Sequence, residues 1–187
     1  MQKKTHIAAG IAVYCLTTKY EPLISQLLYL PFPIIGALVP DIDLESNSKK
    51  RGLKNSSVMI GIVVVYAIIN LITKHSVNII KPIIGIYLFI VLTAIGIKSS
   101  HRTFTHSLAG LFMFSISIYL ISETGGIYFF MAYLSHIVLD IFNCKKVNLV
   151  WPLQGGIYIG LCKTGGMIDC TVFAVLIIMI LTVKLST

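Results

Sequence analysis

The sequence predicts an all-α protein, a polytopic membrane bundle of about seven helices. Three observations predict it. The chain is 56% hydrophobic and only 12% charged, with a mean hydropathy of +0.89. Several apolar runs approach the roughly 20 residues that a helix needs to cross the hydrocarbon core. No run alternates with the period of a strand, and only helices and closed barrels satisfy their own backbone in lipid. The 187 residues are expected to form one membrane-embedded domain, 1–187.

Taken in order, a first helix is expected over His6–Tyr20, behind Met1-Gln2-Lys3-Lys4. This start imitates a signal peptide, but no small-x-small cleavage pattern follows, so the helix is expected to be retained. Glu21-Pro22 breaks it. A second helix covers Leu23–Val39, bent by Pro31 and Pro33, and Pro40 ends it, throwing Asp41 and Asp43 into a loop. The polar stretch Glu45–Ser57 reads as a loop. Further helices are expected over Val58–Thr73, Ile79–Ile97 and Thr103–Ile121, the last with Thr103 as N-cap. Gly125-Gly126 is expected to turn the chain into a helix over Ile127–Phe142. Lys145–Gly166 is a non-spanning segment whose Trp151 and Tyr158 suit the membrane interface. The final helix is expected over Ile168–Val183.

The formal net charge is +8. With the N-terminus inside, Lys3, Lys4, Lys49, Lys50, Arg51, Lys54, Lys98, Arg102, Lys145, Lys146 and Lys163 fall on the inner face, and Lys19, Lys74, Lys81 and Lys184 on the outer, eleven against four. The positive-inside rule therefore accounts for the basic balance, and no nucleic-acid partner is expected. Cys15, Cys144, Cys162 and Cys170 form no C-x-x-C pair, so zinc-ribbon and thioredoxin-like readings have no support and reduced thiols are expected.

The chemistry concentrates where rare polar residues interrupt apolar runs. His136 and Asp140 are four apart and share a helix face. Ionisable groups inside a membrane segment are costly and point to function. His101 and His106 are five apart and cannot share a face, so His101 is expected in the preceding loop. Asp41 and Asp43 alternate, so both carboxylates can point the same way and one can bridge two ions. His6 alone is weak, and Arg102 alone reads slightly better as a topology anchor. Asp169 alone suits a helix start, where negative charge favours the dipole. His75, beside Lys74 on the outer side, is left out. The same topology that the Lys and Arg count selects brings His6, Asp41, Asp43, His101, His106, His136, Asp140 and Asp169 to the inner face, although none of them entered the count.

Mixed nitrogen and oxygen donors suit zinc, manganese or iron better than calcium. One or two such ions activate water near neutral pH and clamp a phosphoryl group, so no Ser or Cys nucleophile is needed. Arg102 can fork onto a phosphate. The expected metal ligands are His6, Asp41, Asp43, His101, His106, His136 and Asp140. Asp43, Asp169 and Arg102 are the expected catalytic residues, Asp169 as a further ligand or as an orienter of a histidine.

At these residues the chain resembles the YdjM-type family of membrane-bound, LexA-regulated, metal-dependent hydrolases. The resemblance rests on Thr5-His6 with Gly10, Leu38-Val39-Pro40-Asp41-Ile42-Asp43 with Ser46, His101-Arg102-Thr103-Phe104-Thr105-His106-Ser107, Tyr133-Leu134-Ser135-His136 with Asp140, Val150-Trp151-Pro152, and Asp169. Thr103 stands where such proteins often carry glycine, and Asn143-Cys144 replaces their threonine-containing stretch. More distantly, the His and Asp residues on helices look like those of zinc-dependent phospholipases C. The resemblance implies a multi-pass inner-membrane hydrolase with its N-terminus in the cytoplasm. Its expected partners are a membrane lipid and a phosphate-containing substrate, such as a phospholipid or lipid-linked phosphate. The alternative is a metal-ion or proton transporter using the same residues, which places ion sites nearer the bilayer midplane, on repeats or broken helices. This chain shows no repeat.

Overall fold

The computed structural model describes residues 1–43, 49–73, 79–153 and 155–186. The described chain forms eight α-helices and no strand: α1 (Lys3–Thr17), α2 (Leu23–Tyr29), α3 (Pro31–Leu38), α4 (Lys49–Thr73), α5 (Ile80–Lys98), α6 (Leu108–Ile121), α7 (Glu123–Ile141) and α8 (Met167–Leu185). α2 and α3 run on as one broken span, Leu23–Ile42, because Pro31 cannot continue the hydrogen bonding of α2. Counted as one, they leave the predicted seven helices.

The Leu23–Ile42 span and α4, α5, α7 and α8 are long and apolar enough to cross a membrane. The distribution of side chains agrees. Ile72, Ile84, Tyr87, Phe112, Val175 and Ile178 are exposed, whereas His6, His106, His136, Asp140 and Asp169 are buried. A protein folded in water would reverse that arrangement.

α7 is the hub, with α1, α3 and α6 packed on it. Phe32 of α3, Phe114 of α6 and Phe129 and Tyr133 of α7 fill the core with Phe89 of α5 and Phe104. α5 closes on α6, α4 packs mainly on α5, and α8 lies on α1. Since successive spans alternate in direction, the start of α1, the end of α3, the loop before α6, the end of α7 and the start of α8 all lie at one end of the bundle.

Three helix starts differ most from expectation. α4 begins at Lys49, so most of the polar stretch expected as a loop is an extra turn and more of helix; Lys, Arg and Asn are compatible with a helix that has left the lipid. α6 begins at Leu108, not Thr103, because Ser107 Oγ accepts the Gly110 N–H and caps it. α7 begins at Glu123, because Ser122 caps it in the same way. Gly125 and Gly126 therefore lie within its first turn. There they permit close packing, since a Cβ on Gly126 would sit 2.6 Å from Tyr119 Cα.

Candidate metal centre

Asp140 is the centre of the polar cluster. It lies in the last turn of α7 and is 1% exposed. Its Oδ1 is 3.3 Å from His6 Nε2 and 3.2 Å from the Met1 amino group, and its Oδ2 is 3.2 Å from His106 Nε2 and 3.0 Å from Arg102 Nη2. His136, one turn earlier, stacks on His6 with ring centroids 3.7 Å apart and planes at 12°. His136 Nε2 is 3.7 Å from Asp41 Oδ1 and 4.0 Å from Asp140 Oδ2. Ligand atoms of His6, His136 and Asp140, and likewise of Asp41, His106 and His136, lie within 4.8 Å of one another. Five of the seven predicted ligands thus come together from four separate stretches of chain.

Two of the histidines are held from behind. His136 Nδ1 is 2.7 Å from the Ala37 carbonyl. A carbonyl only accepts, so Nδ1 carries the proton, and Nε2 of the neutral ring presents a lone pair. That buried atom has no hydrogen-bond partner, and it faces two carboxylates, which when ionised are acceptors as well. An acceptor among acceptors is a place that a metal ion or a proton would stabilise. His106 Nδ1 meets Thr105 Oγ1 at 3.2 Å, and the Tyr133 hydroxyl donates to the Thr105 carbonyl at 2.5 Å, tying α7 to the turn before α6. Asp41 reaches the cluster from a 3-10 turn, Val39–Asp43, that continues α3. It is the least buried of the five.

Arg102 has φ 63°, a conformation few residues other than glycine adopt. Several bonds fix it there. Nη1 donates to the Lys145 carbonyl at 2.8 Å, Nη2 pairs with Asp140, and the Asn148 N–H donates to the Arg102 carbonyl at 3.0 Å. The guanidinium is therefore directed at Asp140, and its geometry is that of a group that orients a carboxylate.

Two predicted residues fall elsewhere. His101 belongs to neither group of ligand atoms; its ring meets His106 edge-on at 5.5 Å, on the rim of the cluster. Adjacent residues of a tight turn project in different directions, and here Arg102 takes the inward one. Asp169 is also outside both groups. Its carboxylate accepts from Gln2 N–H (2.9 Å), Gly165 N–H (2.8 Å) and Thr5 Oγ1 (2.7 Å). It therefore anchors the first turn of α1, and with it His6, rather than serving as a ligand. Asp43 closes the 3-10 turn, and its side chain lies outside the described residues, as do Ser46 and His75.

Sequence reasoning missed the Ala37 carbonyl, because backbone acceptors leave no trace in residue identity. It also missed Thr105, although that residue sits beside His106 within a motif already singled out.

The family model described as YdjM inner membrane protein matches residues 1–186. Comparison with the curated proteins and with the solved structures gives no match.

Proposed function

The chain belongs to the YdjM inner membrane protein family, and on that premise we propose that it is a metal-dependent hydrolase of phosphate esters working at the cytoplasmic face of the inner membrane. His6, Asp41, His106, His136 and Asp140 would hold one or two divalent ions, with zinc, manganese or iron suited to this mixture of imidazole and carboxylate. Such an ion, when bound, supplies Lewis acidity toward a phosphoryl oxygen and a water acidified toward neutral pH.

The observation that carries the reading is the Nε2 lone pair of His136, buried between Asp41 and Asp140 with no donor in reach. The chain's own residues do the rest. The Ala37 carbonyl fixes the tautomer of His136. Arg102 holds Asp140 in place and offsets its charge. Asp169 secures the start of α1. Four of the five proposed ligands are buried, and Asp41 is the one partly open to its surroundings. A transporter would need such residues near the middle of the span. Here they lie in the last turns of α7 and the first turns of α1, at one end of the bundle.

Elemental analysis of the purified protein tests the reading. Wild-type protein should carry a transition metal and release phosphate from ester substrates. His136→Ala should lower metal affinity well beyond the roughly 10–100-fold that loss of an outer-shell partner causes, and should abolish turnover. Full metal occupancy in this variant would refute the centre.

Orientation has its own test. Cys144 is exposed four residues beyond Asp140, whereas Cys162 is buried, and burial raises its thiol pKa and keeps it unreactive. A variant retaining only Cys144 should react with an impermeant maleimide in inside-out vesicles and not in right-side-out ones. The opposite pattern would move the cluster to the periplasmic face.

A further inference from the structure

The open side of the cluster leads into a groove between α3 and α4. Its mouth is polar, formed by Lys3, Asp41 and Asn55, and its walls are Ile34, Val58 and Ile62, around a volume of about 450 Å³. Val58 and Ile62 also line a second hollow of about 490 Å³, which continues along α4 past Gly61 and Val65 to Ile69 and is closed on the other side by Leu28 and Pro31. Together they form an apolar track from Asp41 along α4. From Asn55 to Ile69 the helix rises roughly 21 Å, most of the way across one of the candidate spans.

We propose that this track holds the hydrocarbon chain of a lipid phosphate, whose anionic head is drawn to Lys3 and delivered past Asp41 to the cluster. The proposal rests on the hydrolase reading and narrows it to membrane-resident phosphate esters entering sideways from the bilayer. Three features carry it. The walls are apolar where they face lipid. Lys3, the cation among the described residues of the mouth, has the sign complementary to a phosphate. The groove meets the cluster at Asp41, its least buried member, so head and tail can be accommodated at once. Gly61 adds a fourth. A Cβ built there would meet nothing within 4 Å, so its lack of a side chain keeps the track open and relieves no clash with the protein.

The test is photolabelling, which needs no turnover. A monoacyl glycerol phosphate with a mid-chain diazirine is incorporated with the protein into phosphatidylcholine nanodiscs, and cross-linked residues are mapped by mass spectrometry. Saturable labelling is expected at Val58, Ile62 and Val65. It should be displaced by unlabelled monoacyl glycerol phosphate, but not by glycerol phosphate or a monoacyl phosphocholine. Gly61→Trp should reduce it at least tenfold while bound metal is retained, and Gly61→Ala should not.

Labelling spread evenly over α5 and α8, or displaced equally by the phosphocholine lipid, would overturn the proposal. So would undiminished labelling in a Gly61→Trp protein that keeps its metal. If the tryptophan variant fails to fold, the wild-type map and its competition profile still decide. A protein that labels as expected but hydrolyses no ester supports the groove and refutes the hydrolase. One that hydrolyses soluble glycerol phosphate without headgroup-dependent labelling does the reverse.

Discussion

Asp140→Ala is expected to be the most damaging substitution in the chain. The carboxylate faces His6 and Met1 with one oxygen and Arg102 and His106 with the other, all within 3.3 Å. Removing it takes the counter-charge from a guanidinium that is only 8% exposed. Breaking one partner of a buried ion pair costs about 3–5 kcal/mol, because the remaining charge is out of water and has lost its counter-charge. The loss should appear as a large drop in melting temperature in detergent, together with loss of bound metal. Asp140→Asn separates the two effects. It keeps the volume and an acceptor oxygen, so it should recover part of the stability while metal affinity stays low. Wild-type melting of Asp140→Ala would show that the cluster contributes nothing to the fold.

Gly36→Ala is expected to damage the site without touching it. A Cβ at Gly36 would lie 2.5 Å from the Phe129 carbonyl oxygen. That obstacle is backbone, so α3 itself would have to move away from α7. Close approach at small residues is how helices pack in lipid, where no hydrophobic force drives them together. Overpacking of this kind costs about 1–3 kcal/mol. The next residue, Ala37, supplies the carbonyl that fixes His136, and Asp41 lies one turn further on. Displacing α3 should therefore loosen both, lowering metal affinity by roughly 10–100-fold, the usual effect of a lost outer-shell partner. Titration of metal into the metal-free variant measures this directly. An unchanged affinity alongside an unchanged melting temperature would show that α3 tolerates the shift.

Much of this arrangement was legible in the sequence because two constraints are strong there. Lipid forces the backbone into helices, so apolar length alone marks the spans. Burial of ionisable groups is expensive, so His136 and Asp140 within an apolar run announce a site. Helix spacing put those two on one face, and alternation of spans put His6, Asp41 and His106 at the same end. The boundaries were harder. Ser107 and Ser122 cap α6 and α7 through local hydrogen bonds that several nearby serines and threonines were equally able to make.

What the residues alone determined is the class of protein, the helical spans, and the small set of groups from which a centre is built, since composition and periodicity act along the chain. What only the tertiary structure decided is which of those groups meet. His101 and Asp169 have the same chemistry as His106 and Asp140. Yet one is turned to the rim by the left-handed backbone at Arg102, and the other is consumed by Gln2, Thr5 and Gly165. The choice depends on angles and distances between segments far apart in the chain. It rests on backbone groups such as the Ala37 carbonyl, which every residue possesses and only the packing of α3 on α7 brings to His136.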